Sequence, residues 1–231
     1  LQATISAHQK YITLRDQFNN FSSHFVVVSN RKPDAKRDQV IMAGNQRVLR
    51  ARLADAEFFW QQDQKQPLAS YVTALQAVTF YERLGDLNAK ALRLKKLAGV
   101  LAPYIAGCDA QHAKRAGFLA KADLVTDMVG EFPELQGIIG GYYARHDGEA
   151  DDVASAISTH YRPQGPTDAV PETPTAKAVA LADKIDTLVG LFGIGAKPTG
   201  SKDPFALRRA ALGVIRIILD AELSLPLATV L

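Results

Sequence analysis

The sequence predicts a mainly α-helical fold with a short β remnant at its front. Three observations carry this. From Gln46 onward the apolar residues fall at helical spacing, with Leu49, Leu53, Ala56 and Trp60 on one stripe and Arg50, Arg52 and Glu57 off it. Before Gln46 stand two β-branched runs, HFVVV at 24–28 and QVIMA at 39–43, with the Pro-containing segment SNRKPDAKRD between them. The 231 residues are 47% hydrophobic and 22% charged, which suits a packed globular chain and excludes general disorder.

The two runs are read as strands, the second closed by Gly44-Asn45. Because a two-stranded pair is marginal alone, they are expected to join a sheet whose other strands lie upstream. Helices are expected over about residues 46–64, 69–82, 87–106, 109–130, 134–145, 149–160, 173–192 and 204–222, separated by Gly, Pro and polar punctuation. The segment HYRPQGPTDAVPETP holds four of the eleven prolines and cannot continue a helix, so it is expected as a long loop. A second irregular stretch, GLFGIGAKPTGSKDP, ends with Asp203 as an expected N-cap and Pro204 at the first helical position. The organisation expected is the edge of a β-containing domain at 1–45, a helical domain at 46–222 and the start of a further region at 223–231. A start at Leu1 in place of Met, and an end in LPLATVL, lead us to expect a piece of a larger protein.

Charge and cysteine narrow the function. The net charge of +3 identifies no nucleic-acid binder, but its distribution is uneven: nine basic against five acidic residues over 1–60, and five against one over 195–216. These basic ends are either solvated helix faces or phosphate-contacting surfaces. One cysteine, Cys108, leaves no internal disulfide and no cysteine-rich zinc site, which suits a reducing cytosol. No apolar run is long enough for a membrane span.

The chemical motifs are incomplete. GAKPTGSK at 195–202 nearly matches the phosphate-binding loop but exchanges its last two residues and follows a helix instead of a strand, so a turn between helices is expected. His146-Asp147, with His112 and Asp183, imitates a metal set, yet the pair sits in the hydrophilic turn RHDGEADD. No nucleophile arrangement stands out, and the adjacent acids Asp151-Asp152 point apart on a helix. In EFPELQGIIGGYYA, Gly137, Gly140 and Gly141 imply close approach of another backbone, and Tyr142 and Tyr143 are read as core before base-stacking groups. Phe58, Phe59 and Trp60 are likewise expected in the core.

Two resemblances follow. LAKADLVTDMV and VALADKIDTLVGLF resemble the segments in which the HD superfamily carries its His-Asp doublet and final aspartate. Asp123 and Asp183 match the aspartates, but Ala122 stands in place of the histidine, so the resemblance implies an HD-like fold without a complete metal site. A divergent metal-dependent phosphohydrolase is the enzyme-class alternative.

The blocks DAEFFW (55–60), KADLVTDMVGEFPELQGIIGGYYARHDGE (121–149), HYRP (160–163) and ALADKIDTLVGLFGIGAKPTGSKDPFALRRAALGVIRII (180–218) resemble the beta-subunit family of bacterial two-subunit glycyl-tRNA synthetases. The resemblance implies a cytoplasmic alpha2-beta2 ligase. Its alpha subunit activates glycine with ATP and magnesium, and its beta subunit presents tRNA(Gly); no DNA or membrane is involved. It implies no catalytic residue, metal or cofactor in this stretch. Phosphate contacts then fall to Arg47, Arg50 and Arg52 in one basic turn and to Lys197, Lys202, Arg208 and Arg209 around the second loop. A scaffold that meets only the alpha subunit is the third reading.

Overall fold

The computed structural model describes residues 5, 6, 9–32, 34–200 and 202–230. The protein is mainly α-helical, with two small antiparallel hairpins, and divides into two compact units: residues 1–65 with 127–135, and residues 66–126 with 136–231.

In the first unit, β1 (Ile12–Arg15) pairs with β2 (Phe21–Val26), placing Ile12 opposite Val26 and Thr13 opposite Phe25. The Asp16 carboxylate accepts from the amides of Phe18 and Asn20 and so closes the turn. The partner of the expected first strand is therefore the segment just before it.

The expected second strand is a correction: residues 39–43 lie inside α1 (Ala35–Asp63), which begins eleven residues before Gln46. Asp34 is the reason at the start, since its carboxylate accepts from the Lys36 and Arg37 amides, both at 3.1 Å. β propensity measures fit to a pleated, half-buried surface, and Val40 and Met42 on this helix are instead exposed. At the other end Asp63 accepts from the amides of Asp127 and Met128, both at 3.0 Å, capping the short α5 (Asp127–Glu131). The aromatic triplet splits, with Trp60 and Phe59 half-buried and Phe58 exposed, so Phe58 is not a core residue.

In the second unit, α2 (Leu68–Ala74) leads through a 3-10 turn into the hairpin β3 (Thr79–Tyr81) and β4 (Gly85–Asp86). The helix expected over 69–82 thus stops early. Then follow α3 (Leu87–Leu101) and α4 (Ala110–Leu119), capped by Asp86 and Asp109. The helix expected over 109–130 is broken after Leu119 by a 3-10 turn at Ala122–Val125. Beyond it lie α6 (Ile138–His146), α7 (Asp151–Thr159), α8 (Pro174–Gly193), α9 (Leu207–Asp220) and α10 (Leu227–Val230).

Two close approaches set this packing. A Cβ on Gly117 of α4 would lie 2.8 Å from the Leu94 carbonyl oxygen of α3. One on Gly141 of α6 would fall within the Ser158 side chain and 2.7 Å from the Ala154 carbonyl oxygen of α7. Of the GIIGGYY glycines, Gly141 therefore does admit another backbone, as expected, whereas Gly140 makes room for the Asp123 and Ile157 side chains and Gly137 for the Tyr161 ring. Tyr143 enters the core, whereas Tyr142 is exposed. α8 is the centre of the unit, with twelve buried residues between Thr175 and Leu191, and it packs on α3, α4, α7 and α9.

The Pro-rich loop after α7 is tied down along its length. Lys184 Nζ donates to the carbonyls of Arg162 at 2.7 Å and Tyr161 at 3.1 Å, and Arg216 donates to those of Gly165 and Asp168. Asp203 does not start a helix at Pro204. Its carboxylate accepts from the amides of Leu207 and Arg208 at 2.8 and 2.9 Å, after a turn in which Ala206 takes φ 54°.

Candidate functional site

The chemistry of the second unit concentrates where α3, α8 and the segments after α4 and α7 meet. α8 is apolar on nearly every side, yet it carries Asp183, Lys184 and Asp186 inside. Burying such charges is costly unless each is paired. Each is paired here. Asp186 takes a two-pronged contact from Arg93, at 2.6 and 3.2 Å, and accepts from Lys90 at 3.0 Å. Asp183 accepts from Lys121 at 3.0 Å, and its other oxygen lies 3.2 Å from Lys90 Nζ. Lys90 also donates to the Thr187 hydroxyl and lies over the Phe80 ring.

Lys121 Nζ is 2.8 Å from His160 Nε2 and 3.8 Å from the centre of the Tyr161 ring. His160 Nδ1 is 2.7 Å from the Ile157 carbonyl oxygen. A carbonyl only accepts, so Nδ1 carries the proton and Nε2 accepts from Lys121. Burial, reinforced by the neighbouring Lys121 charge, lowers the imidazole pKa to about 3 and keeps it neutral. Burial alone would raise the Asp183 carboxyl, but the Lys121 and Lys90 ammonium groups outweigh it and hold that carboxyl well below the usual range.

The other buried aspartate named in the sequence, Asp123, has different partners. Asp123 Oδ2 accepts from the amides of Gly137 at 2.5 Å and Gly140 at 3.2 Å, while its Oδ1 is buried without a hydrogen bond. Burial raises its pKa to about 6. Ala122 is buried and supplies no ligand. The residues matched to the HD positions thus do not fit a metal ion: Asp123 is turned to backbone amides and Asp183 to two ammonium groups. The alternative set is dispersed as well. His112 pairs with Asp152 at 2.8 Å, and Asp152 also accepts from the Thr175 hydroxyl. His146 lies 3.5 Å from Asp147, whose carboxylate accepts from the Leu68 amide at the start of α2. Among the described residues, no three His, Cys, Asp or Glu side chains are placed to share a metal.

The basic candidates fall into two groups in different units. Arg47 and Arg50 are exposed on α1, whereas Arg52 donates to Glu131 at 2.6 Å and lies over the Phe132 ring. In the second unit Lys197, Lys202, Arg208 and Arg209 are all exposed on the segment between α8 and the first turn of α9. That segment does follow a helix. It closes on a tight turn in which the Thr199 and Lys202 backbones bond reciprocally, and Arg208 donates to the Gly200 carbonyl oxygen at 2.6 Å. Arg83, from the β3–β4 hairpin, donates to the Ile194 carbonyl oxygen, and Tyr81 meets Phe205 edge-on at 5.5 Å.

Sequence reasoning missed Arg83, Lys90, Lys121, His160 and Asp186. For the last there was a signal: charged residues within an otherwise apolar helix, ALADKIDTLV.

The arrangement is that of a helical module whose inward-facing polar groups pair with one another and which carries four exposed cations on one irregular segment. A family model described as "Glycyl-tRNA synthetase beta subunit" matches residues 1–231. The chain is 52% identical over 228 residues to a "Glycine--tRNA ligase beta subunit" of Ralstonia nicotianae, covering 99% of this chain and 32% of that protein. It is 53% identical over 227 residues to the protein of the same name from Pseudomonas fluorescens strain SBW25, covering 98% of this chain and 33% of the relative. The corresponding Pseudomonas aeruginosa protein is 52% identical over 227 residues, with the same two coverages. The chain belongs to the glycyl-tRNA synthetase beta subunit family, and it spans about a third of the length of these curated relatives.

Proposed function

We propose that this chain is an internal, non-catalytic part of the beta subunit of a bacterial alpha2-beta2 glycine-tRNA ligase. In this reading an HD-like helical domain without a complete metal set helps to hold tRNA(Gly), while the alpha subunit activates glycine with ATP and magnesium in the cytoplasm. Family membership supports the enzyme, and among the described residues no helix is long and apolar enough to cross a membrane. One observation carries the tRNA contact. Lys197, Lys202, Arg208 and Arg209 stand exposed along one tethered segment. Such cations neutralise backbone phosphates without reading sequence.

The test is Lys197→Ala/Lys202→Ala/Arg209→Ala in the complete beta subunit with its alpha partner, leaving Arg208 to hold the Gly200 turn. Affinity for tRNA(Gly) should fall, and the slope of log affinity against log salt should flatten by roughly 0.7–0.9 for each phosphate no longer neutralised. Unfolding should shift by no more than about 0.5 kcal/mol, since these side chains are exposed. Unchanged affinity and slope would instead give the segment to assembly. The exposed stripe Leu212, Ile215 and Leu219 on α9 favours that second reading.

A further inference from the structure

The buried Lys121 side chain ends at a point where three kinds of cation donor converge. They are the lone pair of His160 Nε2 at 2.8 Å, an Asp183 carboxylate oxygen at 3.0 Å and the face of the Tyr161 ring at 3.8 Å. Each is an established partner of a positive charge. None belongs to α4 or the turn that carries Lys121: His160 and Tyr161 follow α7, and Asp183 lies on α8. The second Asp183 oxygen has no hydrogen bond of good geometry and is held by the Lys90 charge alone.

We infer that Lys121 is a built-in cation, its ammonium filling a site shaped by the His160, Asp183 and Tyr161 donors and joining the ends of α4 and α7 to the middle of α8. The imidazole and the carboxylate are the donor types that would hold a divalent ion. A divalent ion beside two ammonium groups would meet strong repulsion in this buried interior. The chemical class the site accepts is therefore a primary ammonium, and the chain supplies it covalently.

The prediction is specific because Lys121→Ala removes three methylenes and the ammonium, a volume that n-propylammonium restores. Thermal unfolding is followed for the intact protein and for Lys121→Ala and Lys121→Met, with n-propylammonium chloride titrated against tetramethylammonium chloride at equal ionic strength. Both variants should melt several degrees lower, because the buried Asp183 carboxylate loses one of its two ammonium partners. Propylammonium should raise the Tm of Lys121→Ala along a saturating curve and leave the unsubstituted protein and Lys121→Met unmoved. Tetramethylammonium, which donates no hydrogen bond, should do nothing specific. Should Lys121→Ala fail to fold without the amine, its recovery on refolding with propylammonium but not tetramethylammonium is the same result. The inference is overturned if Lys121→Met is as stable as the unsubstituted protein, or if the two ammonium salts act alike on Lys121→Ala. It is equally overturned if the unsubstituted protein holds a stoichiometric divalent metal that is lost in His160→Gln.

Discussion

At the scale of single residues, His160 shows how one buried group makes stability depend on pH. Its imidazole is fully buried and neutral, with a pKa near 3, against about 6.5 in an unfolded chain. Between those values the unfolded state binds a proton that the folded state refuses, so stability falls as pH drops from about 6.5 toward 3. At pH 5 the loss from this group is about 2 kcal/mol, from roughly 1.4 kcal/mol per pH unit. Asp123 works in the opposite direction. Its pKa, raised to about 6, lets the folded state take up a proton before the unfolded one does, which partly offsets the loss as pH falls from about 6 to 4. Urea unfolding of the unsubstituted protein and of His160→Gln at pH 7 and pH 5 separates the two. The variant should lose less stability between the two pH values, and equal losses would show that His160 is not the buried neutral group. Little of this residue-level chemistry was legible in the sequence. His160 stands in HYRPQG, a turn-like string, and only the fold lays it against Lys121 from a position 39 residues away.

At the scale of elements, caps decided the boundaries. Asp34 starts α1 upstream of the expected point, Asp63 caps a different helix, and Asp203 caps α9 from four residues before its first turn. The Asp203 cap has a measurable consequence because Ala206, between it and the helix, is held at positive φ, where alanine is disfavoured. Asp203→Ala should therefore destabilise the protein by about 1 kcal/mol, and Asp203→Asn, which keeps an accepting oxygen, should recover most of it. Denaturant midpoints for the pair check this, and equal losses in both would mean that the carboxylate charge, not the cap, is what matters. The helices with strong periodicity, α3, α8 and the later part of α9, were legible to within a few residues. The hairpin at 79–86 was not, because its strands are only three and two residues long and leave no alternating pattern.

At the scale of the whole molecule, burial is unevenly shared, and local stability should follow it. α1 has 29 residues but buries only Ala56 and Asp63, while α8 buries twelve of its 20. Helices draw most of their stability from packing, so amide hydrogen exchange should be slowest in α8 and α3 and fastest among these helices along the first half of α1. Comparable protection of α1 and α8 would contradict this. What the sequence by itself determined was the helical class, the Pro-rich loop, the close approach at Gly141 and the family blocks, because each of these is local: a period, a ring, a missing Cβ, a run of identities. What only the tertiary structure decided was how the charges are used. Lys90, Lys121, His160, Asp183 and Asp186 are scattered over nearly a hundred residues, and nothing local distinguishes them from solvated side chains. Their roles come from burial, since an ammonium or carboxylate withdrawn from water must find a partner, and the partner is chosen by which helices pack together.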